Sequence, residues 1–268
     1  MNRSKVRFVG CLDGSADSAV ITIQSKLFEN SSWTLCEADF DIMSLAAVFL
    51  NSTPFSDLRI ITLEYNGQDI SKKCPSLPNA VFRIPIWRHC FPNLQKLTVK
   101  RTKEEYAVDL LNELKEKLYR VIMGSNNFHE VEDEEDLGLP SLEEICFPYS
   151  RDGEGFLIDY GRFEGEEEFF MKLCRNVKRF SGRVFWGIGR LWREMEYVKS
   201  MKLDVAGLDE NRLDQMFCGL SEFEHRELLG KQADFLKKVH IVPEETSILH
   251  LKSKQVFIPV RKLLSLDI

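Results

Sequence analysis

The chain holds 268 residues, 44% hydrophobic and 29% charged, with a formal net charge of −6. That length allows one large domain or two small ones with a substantial core. The balanced charge gives no global argument for nucleic acid or an anionic membrane, and no apolar run approaches the roughly 18 residues of a membrane span.

The N-terminus is basic but offers no adequate apolar stretch before Asp13, so it is a poor secretory signal. Val6 to Cys11 and Val20 to Ile23 are strand-like, and Phe40 to Leu50 has a helical pattern. Residues 1–54 are expected to form an N-terminal capping region. Asn51-Ser-Thr-Pro54 reads as the first loop.

A phrase then recurs. Phe55-Ser-Asp-Leu58-Arg-Ile-Ile61-Thr-Leu63, Phe91-Pro-Asn-Leu94-Gln-Lys-Leu97-Thr-Val99 and Leu139-Pro-Ser-Leu142-Glu-Glu-Ile145-Cys-Phe147 share the pattern apolar-x-x-apolar-x-x-apolar-x-apolar. The final alternation suits a strand with one buried face, and the two threefold steps suit a tight corner leading into it. Three later copies are weaker. Cys174 to Phe180 keeps the lead-in but places Gly182 at the last apolar position, while Met195 to Leu203 and Ala233 to Ile241 keep the spacing. A repeated supersecondary unit cannot bury its apolar face alone and must stack on its neighbour.

Helical signals lie between the phrases. Ser71 to Pro78 reads as a loop. Thr102-Lys-Glu-Glu105 is a capping box followed by an apolar stripe from Tyr106 to Ile122 that ends at Gly124. Glu130 to Asp136 carries six acids in seven residues and reads as a solvated loop. Helices are also expected over Glu164 to Leu173, over Leu191 to Met195, after Asp209 and after Ser221. Residues 242–268, with a strand-like Val256 to Val260, are expected to cap the C-terminal end. Alternating strands and helices imply an α/β fold with parallel strands.

These residues resemble the leucine-rich repeat family. Leu58-x-x-Ile61-x-Leu63 matches the family's strand segment, and Asn66 falls where the family places its asparagine. Thr102 and Ser150 stand at that offset in the next two copies; Phe185, Ala206 and Glu244 follow in the later ones and depart from the pattern. The Phe-Pro-Asn-Leu and Leu-Pro-Ser-Leu lead-ins look like those of F-box-type substrate receptors and ribonuclease-inhibitor-like proteins. The resemblance covers about residues 55–241 and implies a solenoid, with parallel strands on a concave face and helices on the convex face. The spacings between successive leucine-type positions are 36, 48, 35, 21 and 38 residues, against a family norm of about 20–29, so the repeats are irregular. No F-box helix bundle is recognisable.

In such a solenoid the strand positions that do not enter the core face a partner. The resemblance thus assigns partner binding to Lys96, Thr98, Lys100, Glu144, Arg179, Ser181, Arg183, Ser200, Lys202 and Asp204. Ile60, Thr62, Glu64, Cys146 and Pro148 share their face. From Lys172 to Arg193 there are seven basic residues and no acid, interleaved with Phe180, Phe185, Trp186 and Trp192. That segment could dock an acidic protein, grip nucleic acid, or simply be a basic corner with its aromatics in the core.

Chemistry-bearing patterns are sparse. The five histidines form no metal-ligand spacing, no phosphate-binding glycine loop is present, and adjacent His89 and Cys90 are a poor nucleophile–base pair. Asp13-Gly-Ser-Ala-Asp17 lacks the closing glutamate of a calcium loop, residue 24 being Gln. The seven scattered cysteines read as free thiols of a reducing compartment, which places the protein in the cytoplasm or nucleus. The resulting expectation is a non-catalytic, monomeric protein-interaction module without cofactor or metal. Its partners would be proteins, including a ubiquitin-ligase adaptor by resemblance. The alternatives are a compact α/β enzyme with its site at the strands' carboxyl ends, and a nucleic-acid binder centred on residues 172–193.

Overall fold

The computed structural model describes residues 4–8, 26, 30, 34–102, 105–124, 138–148, 164–182, 195, 197–198, 200–204 and 239–242. Eight strands form one sheet in the order of the chain. They are β1 (Ser4–Phe8), β2 (Leu35–Asp41), β3 (Ile60–Tyr65), β4 (Lys96–Arg101), β5 (Glu144–Phe147), β6 (Arg179–Gly182), β7 (Ser200–Asp204) and β8 (Val239–Val242). Every neighbouring pair is parallel. Parallel neighbours need a crossover. Among the described residues the connections carry α1 (Ile42–Asn51), α2 (Gly67–Lys73), α3 (Leu77–Val81), α4 (Ile84–Cys90), α5 (Val108–Gly124) and α6 (Glu164–Cys174). The fold is α/β with an all-parallel sheet, as the alternation of patterns predicts.

All six copies of the phrase become strands, β3 to β8. In four of them the lead-in closes the same turn. Leu58 N donates to Phe55 O, Leu94 N to Phe91 O, Leu142 N to Leu139 O and Val177 N to Cys174 O, at 3.1–3.3 Å. The corners are then tied to one another. The carbonyl of Arg59 accepts from Gln95 N and Lys96 N, that of Gln95 from Glu143 N and Glu144 N, and that of Glu143 from Lys178 N and Arg179 N. The third residue of the phrase adds a side-chain bond to the preceding corner: Asn93 Nδ2 to Ser56 O at 3.0 Å, Ser141 Oγ to Pro92 O at 3.3 Å and Asn176 Nδ2 to Leu139 O at 3.4 Å. Backbone groups that leave the ladder at each corner are therefore satisfied.

The apolar positions of the phrase build the core. Phe55, Leu58, Ile61 and Leu63 are buried, as are Phe91, Leu94, Leu97 and Val99, then Leu139, Leu142, Ile145 and Phe147. They join Phe49, Trp87, Leu114, Leu118, Phe169 and Phe170 from the helices in one cluster. Helices thus seal the face of the sheet that holds these side chains. In the fourth copy Gly182 replaces the last apolar residue because backbone fills that space. Its φ is +135°, and a Cβ there would meet the Phe147 carbonyl oxygen at 2.0 Å.

Several expectations change. Phe40 and Asp41 belong to β2, not to the helix expected from Phe40. Asp41 ends the strand and caps α1, its carboxylate accepting from Ser44 N at 2.6 Å. Ser71 to Pro78 is not a loop: it holds the end of α2 and the start of α3, with Pro78 in the first turn, where its missing N–H costs nothing. The helix expected from Thr102 begins only at Val108, because Tyr106 is held by the preceding repeat, its N–H donating to Asp69 Oδ2 at 2.8 Å. α6 and the end of α5 fall where the sequence places them. The acidic run 130–136, the helices after Asp209 and Ser221, residues 191–194 and the segment from 243 onward lie outside the described residues.

Candidate binding face

The second face of the sheet carries rows of mostly polar residues, one per strand. Register aligns Glu37, Ile60, Lys96, Glu144, Arg179 and Ser200 in one row. Asp39, Thr62, Thr98, Cys146, Ser181 and Lys202 form the next. Glu64 and Lys100 pair in a third. Alternation along β2 to β6 puts these positions opposite the core. The structure therefore brings Lys96, Thr98, Lys100, Glu144, Arg179 and Ser181 together, as the spacing predicts. Ser200, Lys202 and Asp204 take their places on β7. Arg183 lies outside the described residues.

The first row is held by charge. Glu144 Oε1 lies 2.5 Å from Lys96 Nζ, and its Oε2 accepts from Arg179 Nε at 2.9 Å. One carboxylate thus ties three adjacent strands. Lys100 Nζ stands 3.6 Å from Glu64, a looser contact. Burial alone pushes the Glu144 carboxyl up, but hydrogen bonds and charge from Lys96 and Arg179 outweigh it and hold it below its ordinary 4.5. A carboxyl lowered in this way stabilises the fold above its ordinary range and loses that contribution as pH falls through the lowered value. Urea midpoints of wild type and Glu144→Gln are therefore expected to differ near neutral pH and to converge as acidification protonates the Glu144 carboxyl, below its ordinary 4.5. A difference that grows with acid would contradict the clamp.

The middle of the second row is made of short side chains, Thr98, Cys146 and Ser181. Among the described residues the side chains of Thr98, Cys146 and Ser181 have no hydrogen-bond partner. They are half-buried.

The basic segment looks different from its sequence. Lys172 pairs with Glu168 at 3.0 Å, Lys178 with Glu143 at 2.6 Å and Arg179 with Glu144. Phe180 is in the core, so its ring has no face open to a base. Phe185, Trp186 and Trp192 lie outside the described residues.

The adjacent pair His89 and Cys90 sits on α4, not on a strand. His89 Nε2 meets Ser52 O at 2.8 Å, and Cys90 is buried, which pushes its thiol far up and keeps it protonated. Asn66, at the position of the family's asparagine, caps α2 and accepts from Asp69 N at 3.2 Å. No group of three or more His, Cys, Asp or Glu side chains among the described residues could hold a metal ion, and no described helix is long and apolar enough to cross a membrane.

Sequence reasoning missed Glu37 and Asp39, because β2 has no complete phrase. Leu35-x-x-Ala38-x-Phe40 has the spacing of Leu58-x-x-Ile61-x-Leu63, but Ser32 stands at the leading apolar position. A search with the shorter pattern finds it.

Compared with protein-family models, curated proteins and solved structures, the chain gives no match in any of the three.

Proposed function

We propose that the chain is a leucine-rich-repeat-like solenoid that binds a protein partner on its polar sheet face and carries out no chemistry of its own. The strands would line the concave side and the helices the convex side. The carrying observation is the second sheet face, where Lys96, Thr98, Lys100, Glu144, Arg179 and Ser181 stand in register across three adjacent strands while the helices pack on the other face. Strand order supports it. The sheet runs in chain order from β1 to β8 without the reversal at which open α/β enzymes form a ligand crevice. A rigid sheet face also loses little entropy on binding. The further reading, substrate recognition for a ubiquitin ligase, draws only on the Phe91-Pro-Asn-Leu94 and Leu139-Pro-Ser-Leu142 lead-ins.

Affinity capture followed by mass spectrometry tests both levels. Lys100→Glu with Arg179→Glu is expected to lose proteins that wild type retains, while circular dichroism shows the variant to be folded. Lys117→Glu on α5 is expected to keep them. An identical protein set from all three baits would sink the binding-face reading. Recovery of a ligase adaptor by wild type would support the receptor role, and a specific partner without an adaptor would remove that role alone.

A further inference from the structure

We infer that the polar face carries a track for an extended, carboxylate-rich peptide of the partner, crossing β4, β5 and β6 over Thr98, Cys146 and Ser181. This rests on the protein-binding reading and adds the chemistry and direction of what binds.

Three observations converge. The first is shape. Thr98, Cys146 and Ser181 are short side chains in one register row, while Lys96 and Lys100 rise on either side of Thr98 and Arg179 rises beside Ser181. The floor is low, and its walls carry Lys96 and Arg179 around Glu144 on one side and Lys100 on the other. The second is hydrogen bonding. The two hydroxyls and the thiol have no partner among the described residues, so they remain available to a ligand. Neighbouring strands are about 4.8 Å apart and an extended chain advances about 3.3 Å per residue. About three peptide residues therefore span the distance from Thr98 to Ser181, enough for each donor to meet its own acceptor.

The third is the layering of charge. Lys96, Lys100 and Arg179 are 39%, 45% and 57% exposed, whereas their counter-ions Glu144 and Glu64 are 21% and 27% exposed. Cations project above the acids that neutralise them, and one carboxylate serves both Lys96 and Arg179. An approaching partner meets the positive layer first. Incoming carboxylates add to Glu144 or take over one of its two cations. A nucleic acid would use the same cations but would also need open rings to stack its bases. The one aromatic described on β4 to β6 apart from the core-facing Phe147 is Phe180, and it too is in the core.

Fluorescence anisotropy with a fluorescein-labelled hexaglutamate tests the track, with hexalysine and a thymidine hexanucleotide as comparison probes. Hexaglutamate is expected to bind more tightly than either, with affinity falling as salt rises. Glu144→Gln removes the resident competitor and is expected to tighten binding about threefold. Arg179→Glu is expected to weaken it about tenfold or more. Circular dichroism confirms that each variant is folded. Hexaglutamate no tighter than hexalysine, or an unchanged affinity in Glu144→Gln, would overturn the inference. An equally tight hexanucleotide with the same variant responses would overturn it in favour of nucleic acid. If Lys100→Glu with Arg179→Glu loses captured proteins while hexaglutamate fails to bind, the binding face stands and the acidic track falls.

Discussion

Trp87→Ala is expected to destabilise the protein by about 3–5 kcal/mol. Trp87 is fully buried, and its ring centroid lies 5.7 Å from Phe49, 5.5 Å from Phe91 and 5.2 Å from Phe169. The contacts to Phe49 and Phe91 are edge-on, the arrangement aromatic quadrupoles favour. Those three partners come from α1, the corner before β4 and α6, so a single ring holds parts of three repeats together. Its indole N–H donates to Val81 O at 2.8 Å, closing the turn between α3 and α4. Alanine there leaves a large cavity and an unpaired carbonyl. Trp87→Phe keeps most of the packing but loses the hydrogen bond, and is expected to cost less than alanine. Urea unfolding followed by circular dichroism measures both. A loss below about 1 kcal/mol for Trp87→Ala would mean that the cluster does not bear on global stability.

Leu94→Ala and Leu142→Ala are each expected to cost about 2–5 kcal/mol, whereas Lys96→Ala is expected to cost less than about 1 kcal/mol. Leu94 and Leu142 are fully buried at the fourth position of their phrases, just after the turn that aims β4 and β5. Their cavities would open where successive corners are hydrogen-bonded to one another, so the surroundings have little freedom to collapse. Lys96 is only two residues from Leu94 but lies on the opposite face, and its removal deletes one partly exposed ion pair. Urea midpoints at a common slope make the comparison. Equal losses at all three positions would contradict this assignment of strand faces.

The strand phrases were legible because a corner and a strand impose two different spacings in succession. Leu58, Ile61 and Leu63 satisfy both, and so do their counterparts in the later copies. β2 was harder to see. Its leading position is Ser32, its middle position is the small Ala38, and Phe40 runs directly into the apolar helix α1, so a period of two merges with a period near 3.6. The short helices between Gly67 and Cys90 were hidden by Pro75, Pro78 and Pro85, which resemble loop signals unless the first turn of each helix is already known. Gly182 looked like damage to the pattern, yet the approach of the Phe147 carbonyl leaves no room for a side chain. On the binding face, alternation alone gave the row of Lys96, Glu144 and Arg179. Their pairing could not be read, because it depends on register across three strands separated by 35 or more residues in sequence.

The described helices seal one face of the sheet and leave the polar rows on the other. Native-state alkylation of the thiols, read by mass spectrometry, tests that arrangement directly. Cys146 stands half-buried on the polar face, while Cys90 and Cys174 end α4 and α6 and are buried in the core. Cys146 is expected to be modified well before Cys90 and Cys174, which should react only as the protein unfolds. Cys90 or Cys174 labelling as fast as Cys146 in the folded protein would contradict the account.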